Sequence, residues 1–286
     1  MTRTIHAERG PCVEAAEIGL ELISRGERSH RPALLFVHGA FHDARCWDHH
    51  FLPWFADQGW ECHALSLRGH GASPGDLDRD TPGLEDYLAD IDAVMSRLGR
   101  PVVLIGHSMG GVLAQMARAR AHTVAGTVLL ASSPLRPATA VVLRLLARHP
   151  LAFLRSQIFG DMNAGRRVFA TFFHGPDLAP ELKARYLKEL SGESGRAARE
   201  VFSRRMPETA SGDLKTRPVL VVAGHDDWSI PLRDHQQLTR ALEAPLAICP
   251  GAHDLMLDPA WEVAARAIHG WLMDISAPTC GSQHPH

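Results

Sequence analysis

The chain has 286 residues, 45% of them hydrophobic and 22% charged, with a formal net charge of −2. That composition fits a soluble globular protein of one large or two small domains. The near-neutral charge argues against a nucleic-acid partner, and no apolar run is long enough to cross a bilayer.

In chain order, Met1 to Gly10 is polar and charged, without the apolar stretch of a secretory signal, so none is expected. Val13 to Ser24 approaches alternation at Glu17 to Ile23 and reads as edge strands, with a hairpin pair as one option. Ala33 to Val37 is a buried strand running into His38-Gly39-Ala40-Phe41. A helix is predicted over 44–58, with Trp47, Phe51, Trp54 and Phe55 on its core face and His49-His50 exposed. Trp60 to Leu67 is the next strand, opening into the glycine-rich loop Arg68-Gly69-His70-Gly71-Ala72-Ser73-Pro74-Gly75. Leu84 to Leu98 has helical spacing, with Glu85, Asp86, Asp90 and Asp92 read as exposed acids.

Val102 to Ile105 is a run of four branched apolar residues leading into Gly106-His107-Ser108-Met109-Gly110-Gly111 and then a helical pattern. Strand, Gly-x-Ser-x-Gly and helix together read as a nucleophile elbow. The sharp turn admits only small neighbours, which accounts for Gly106 and Gly110. The helix start behind Ser108 offers free N–H groups and a positive dipole end to developing negative charge.

Val124 to Ala131 is a further strand, and the alternation of strand and helix predicts a mostly parallel sheet with helices on both faces. No strand-like run follows until residue 214. Residues 134–213 are therefore read as a helical cap inserted into a core of 1–133 and 214–275, with helices over 138–147, 151–159, 165–173 and 180–190. Strand character returns at Pro218 to Ala223, ending at Gly224-His225-Asp226-Asp227. A helix over 232–242, a strand over 246–248, the loop Pro250-Gly251-Ala252-His253 and a helix over 259–273 complete the chain, and 276–286 reads as a disordered tail. The five cysteines are odd in number and lack CxxC spacing, which suggests reduced thiols and a cytoplasmic protein. None of the 18 histidines forms a metalloprotease-like pair, so no metal site is expected.

Three post-strand loops thus carry Ser108, Asp226-Asp227 and His253, in the order Ser, Asp, His. With Val37-His38-Gly39-Ala40, Leu67-Arg68-Gly69-His70-Gly71, the elbow and Gly251-Ala252-His253-Asp254, the chain resembles the α/β-hydrolase superfamily over most of its length. The match is nearest its serine esterase, lipase and lysophospholipase-like branch. Epoxide hydrolases and haloalkane dehalogenases of this fold carry aspartate at the elbow, where this chain has Ser108.

The resemblance implies an α/β-hydrolase fold with Ser108 as nucleophile and His253 as its base. The family's acid lies three residues after the strand-end glycine, with a proline four beyond. Gly224, Asp227 and Pro231 match that spacing, which selects Asp227 over Asp226. The implied oxyanion hole is the backbone N–H of Met109 and that of Ala40. His38, His70 and His107 are read as loop architecture, and Asp254 as a solvated or helix-capping side chain, with contact to substrate or tuning of the base as its other reading. The implied activity is cleavage of a carboxylic ester with an apolar acyl part, without metal or cofactor. A thioesterase or acyltransferase, a C–C bond hydrolase, or a triad-bearing receptor with little turnover are the alternatives. Oligomeric state and natural substrate are not legible in the sequence.

Overall fold

The apolar runs become seven strands of one sheet: β1 (Leu22–Arg25), β2 (Ala33–Val37), β3 (Cys62–Leu65), β4 (Val102–His107), β5 (Val124–Leu130), β6 (Val219–Gly224) and β7 (Leu246–Cys249). The computed structural model describes residues 19–79, 81–132, 175, 177–203 and 217–276, with positions 143, 147, 150 and 151 in addition. The strand order is β1-β3-β2-β4-β5-β6-β7. All neighbours are parallel except β1, which pairs antiparallel with β3 at the edge, Leu22 opposite Leu65. No hairpin joins β1 to another strand among the described residues; residues 1–18 lie outside them.

Period-two alternation splits each strand between two cores. In β2, Leu34 and Phe36 face one side with Trp47, Phe51, Phe55 and Ile268; Ala33, Leu35 and Val37 face the other with Leu88, Ile91 and Leu113. The first side is covered by α1 (Arg45–Asp48), α2 (Phe51–Asp57) and α8 (Trp261–Ser276). The second is covered by α3 (Leu84–Leu98), α4 (Met109–Arg120) and α7 (Leu232–Leu242). The strands of this inner sheet are buried throughout β2, β3, β4 and β6, as expected where helices cover both faces.

Three sequence expectations need correction. The helix over 44–58 is two helices, broken at His50 (φ −142°, ψ −56°). Pro53 explains the break, because its ring would strike the carbonyl four residues back in a continuous helix. His49 and His50 are accordingly not an exposed face; they sit in the break and meet a distant segment. Asp90 is not exposed either: it is 3% accessible, and its carboxylate accepts from the Arg68 guanidinium at 2.6 Å and the Arg68 N–H at 3.0 Å. The last helix, predicted over 259–273, runs over Trp261–Ser276, and residues 277–286 of the expected tail lie outside the described residues.

Of the four helices predicted over 134–213, the third lies outside the described residues, and of the first two only positions 143, 147 and 151 are described, each of them helical. The fourth is α5 (Pro180–Glu189), and a further helix, α6 (Gly195–Ser203), follows it. This stretch docks on the loops at the carboxyl ends of the strands. His49 Nε2 and Glu189 Oε2 are 2.6 Å apart, the Ser191 N–H donates to Phe41 O at 2.8 Å, and Glu193 Oε2 lies 3.4 Å from buried His70.

Candidate active site

Ser108 stands between β4 and α4 with φ 51° and ψ −111°. A positive φ is strained for a residue with a Cβ, at about 1–3 kcal/mol, and persists only where neighbours hold it. Here the Ser108 N–H is tied to Leu130 O at 3.1 Å. The flanking glycines are required by contact: a Cβ on Gly110 would run into the Val37 carbonyl, and one on Gly106 into the Gly110 carbonyl. Strand and helix can therefore approach only through these two residues. The Met109 N–H opens α4, where first-turn donors have no intrahelical acceptor.

The β2 loop lies against this elbow. A Cβ on Gly39 would stand 3.1 Å from Ser108 Cβ and 2.7 Å from His107 Nδ1. Gly39 O accepts from His38 Nδ1–H at 2.8 Å and from the His42 N–H at 3.3 Å. The peptide is trans, so the Ala40 N–H points the opposite way. His38 Nε2 accepts from the Leu67 N–H at 3.1 Å, which fixes its tautomer. Burial pushes this ring down to about 3, so it stays neutral, with an architectural role.

Beyond β7, His253 is 2% exposed and donates from Nδ1 to Asp227 Oδ2 at 2.8 Å. The other oxygen, Oδ1, accepts from the N–H and O–H of Ser229 at 2.8 and 2.6 Å and from the Ile230 N–H at 2.9 Å. Burial acts to raise the Asp227 carboxyl, but His253 and these donors hold it below the usual carboxylate range. Burial acts to lower His253, and the Asp227 carboxylate outweighs it, so the imidazole sits above its ordinary value. Asp226 points to solvent and pairs with the exposed His225 at 2.9 Å. The two adjacent aspartates are thus divided, one buried against the ring and one solvated. His107 links this loop to the elbow: its Nε2–H donates to His253 O at 3.1 Å, and the two rings lie 4.8 Å apart.

Asp254 departs from the sequence reading. Its side chain is fully buried, with Oδ2 3.1 Å from His42 Nε2 and Oδ1 3.5 Å from His107 Nε2. His42 itself was not singled out by the sequence. The only hint was a histidine two residues beyond His38-Gly39-Ala40, and nothing local could join it to a carboxylate 212 residues away. Glu193 was missed for the same reason. It reaches His70 and accepts from Tyr87 Oη–H at 2.8 Å across a gap of 106 residues.

The arrangement brings together a strained serine, a buried His–Asp pair and two loops offering backbone N–H groups. A model of the Alpha/beta hydrolase family matches residues 34–266. Epoxide hydrolase 4 of Mus musculus is 28% identical over 138 residues, 48% of this chain and 37% of that protein. Protein phosphatase methylesterase 1 of Homo sapiens is 36% identical over 90 residues, 30% of this chain and 23% of that protein. The chain thus spans well under half the length of these curated relatives. A solved thermophilic esterase from Thermogutta terrifontis superposes with a TM-score of 0.71 at 21% identity, over 90% of this chain and 94% of that one. At that identity the likeness speaks for the fold.

Proposed function

The chain belongs to the alpha/beta hydrolase family, and we propose that it is a serine hydrolase that cleaves carboxylic esters through an acyl-enzyme. Ser108 is the nucleophile, His253 the base and Asp227 the acid. The observation that supports this most is the buried 2.8 Å His253–Asp227 hydrogen bond, on a loop tied to the residue before Ser108. The elbow serine also favours this reading over the epoxide hydrolase chemistry of the murine relative, since elbow aspartate is that branch's pattern.

The chemistry follows from the hydrogen bonds. Because Nδ1–H of His253 is committed to Asp227, Nε2 carries the lone pair. Nε2 takes the Ser108 hydroxyl proton as Oγ attacks the ester carbonyl carbon. Charge on the carbonyl oxygen is met by the N–H groups of Met109 and Ala40, each worth about 10²–10³ in rate. The imidazolium then gives its proton to the departing alkoxide, which leaves Ser108 acylated. Water repeats the cycle in the second half: His253 removes its proton as the water oxygen bonds the acyl carbon, the acyl–Oγ bond breaks, Ser108 Oγ takes the proton back from the imidazolium and the carboxylic acid leaves. Residues 134–213 act in this reading as a cap whose apolar side lines an acyl pocket, with 1–133 and 214–275 as the core. A small-molecule ester with an apolar acyl part is the substrate, no metal or cofactor takes part, and the cytoplasm, with buried thiols at Cys46, Cys62 and Cys249, is the compartment.

A fluorophosphonate probe should label wild type and not Ser108→Ala. Esters of rising acyl length should be turned over with a clear optimum. An unlabelled wild type, or a labelled one without turnover on any ester, would replace the hydrolase with a receptor.

A further inference from the structure

The site holds a second buried aspartate–histidine pair beside Asp227 and His253. Asp254 follows the base in the chain, and His42 lies two residues past Ala40. Both side chains are at most 4% exposed and they meet at 3.1 Å. His42 meets an acceptor at each ring nitrogen: the Asp254 carboxylate at Nε2 and the Ala40 carbonyl, 3.0 Å away, at Nδ1. An imidazole facing two acceptors carries both protons. Burial opposes that charge, but Asp254 overcomes it and the ring sits above its ordinary value.

The contact to Ala40 bears on the reaction. Residues 39–42 form a four-residue turn closed by the His42 N–H on Gly39 O. Phe41, its third residue, has φ 67°. That position belongs to glycine or asparagine in a type II turn, and a bulky aromatic there is an outlier. The common alternative turn differs by a flip of the central peptide, whose oxygen is Ala40 O. The His42 ring grips that oxygen, and the His42 N–H grips Gly39 O. His42 thus contacts both peptides flanking Ala40, sharing Gly39 O with His38 Nδ1–H, and Asp254 in turn anchors it next to His253.

We propose that His42 and Asp254 are a positioning pair, which locks the Ala40 turn in the geometry that aims its N–H at the reacting oxygen and ties that turn to the loop of the base. The proposal rests on the serine hydrolase reading above. It assigns neither residue a contact with substrate.

Asp254→Asn keeps the shape and removes the charge; His42→Gln removes the ring; the double variant leaves no uncompensated charge. Folding is checked by near-ultraviolet circular dichroism and thermal midpoint. On one soluble ester, each single variant should lose about 10- to 100-fold in kcat, below the full worth of an oxyanion donor, with KM within about threefold. The double variant should be no worse than the poorer single within about threefold, because the two act as one unit. The acidic limb of kcat/KM supplies a readout that packing alone would not move. The charged and titratable groups around His253 are Asp227, Asp254, His42, His107 and His235. His42 is faced by Asp254, Asp43, His38 and His107. Loss of the Asp254 charge should move the limb to lower pH, and loss of the His42 charge to higher pH, with the double variant between them. Folded variants with wild-type kcat, additive losses, or losses confined to KM and thermal midpoint would overturn the positioning pair alone. A wild type that neither labels with fluorophosphonate nor turns over any ester would overturn the hydrolase reading and the pair with it.

Discussion

At the residue scale, the two aspartates after β6 make the sharpest contrast. Asp227→Asn keeps the shape but lets His253 adopt the wrong tautomer, and kcat should fall about 10⁴-fold. Asp226→Asn removes a solvated acid and should change kcat by less than about tenfold. Measuring both on one ester decides the assignment; a larger loss at Asp226 would reverse it. Ser108→Ala should lose about 10⁶ in rate while keeping the thermal midpoint close to wild type, since alanine fits the elbow. Residual turnover of more than a few per cent, free of contaminating esterase, would remove Ser108 from the mechanism.

Among the elements, β4 and α4 meet through glycine alone. Gly110→Ala sets a methyl against the Val37 carbonyl at the end of β2 and the His38 carbonyl just beyond it. We expect about 1–3 kcal/mol of destabilisation by urea titration, with activity lost ahead of the fold because the elbow must open. The stretch carrying α5 and α6 is held differently, by polar contacts to Phe41, His49 and His70. Glu193→Gln weakens the buried contact to His70. Faster hydrogen exchange over residues 191–203, with the amides of β4 and β5 unchanged, is the expected result. Equal exchange in both proteins would mean that packing, not this pair, holds the stretch.

For the whole molecule, activity and stability should both fall as the pH falls, each through different histidines. The base must be neutral, so kcat/KM rises with pH through the apparent value of His253, which Asp227 sets above 6.5 against the effect of burial. Stability has two opposing contributions. His253 is raised, so its share is present below 6.5 and is lost as pH rises through the folded value. His38 and His107 are pushed by burial down to about 3, so their share is present above 6.5 and is lost as pH falls towards 3. Below 6.5 the His253 share no longer changes, so the two lowered histidines set the trend in acid. The thermal midpoint should therefore drop steadily between about pH 6.5 and pH 4. Replacing His107 by Gln should flatten part of that drop, and an unchanged slope would assign the acid sensitivity elsewhere.

What the sequence determined was local or repetitive. Buried strands show as apolar runs, α3 and α7 as helical spacing at the bounds observed, and the elbow as small residues where a strand turns into a helix. Each signal lies within about a dozen residues, because sterics and periodicity act over that range. The order Ser, Asp, His followed from strand ends that a parallel sheet must gather at one edge. Tertiary structure alone decided which polar side chains are buried. Asp90, Asp254, His42 and Glu193 carry no mark distinguishing them from solvated residues, because a buried charge is tolerated only where a partner meets it. Those partners, Arg68, His42, Asp254 and His70, stand 22 to 212 residues away or in a loop placed by another element. The choice of Asp227 over Asp226 was legible through the family spacing of Gly224, Asp227 and Pro231, but its physical cause is tertiary, since β6 and β7 bring one carboxylate, and not its neighbour, to 2.8 Å from His253.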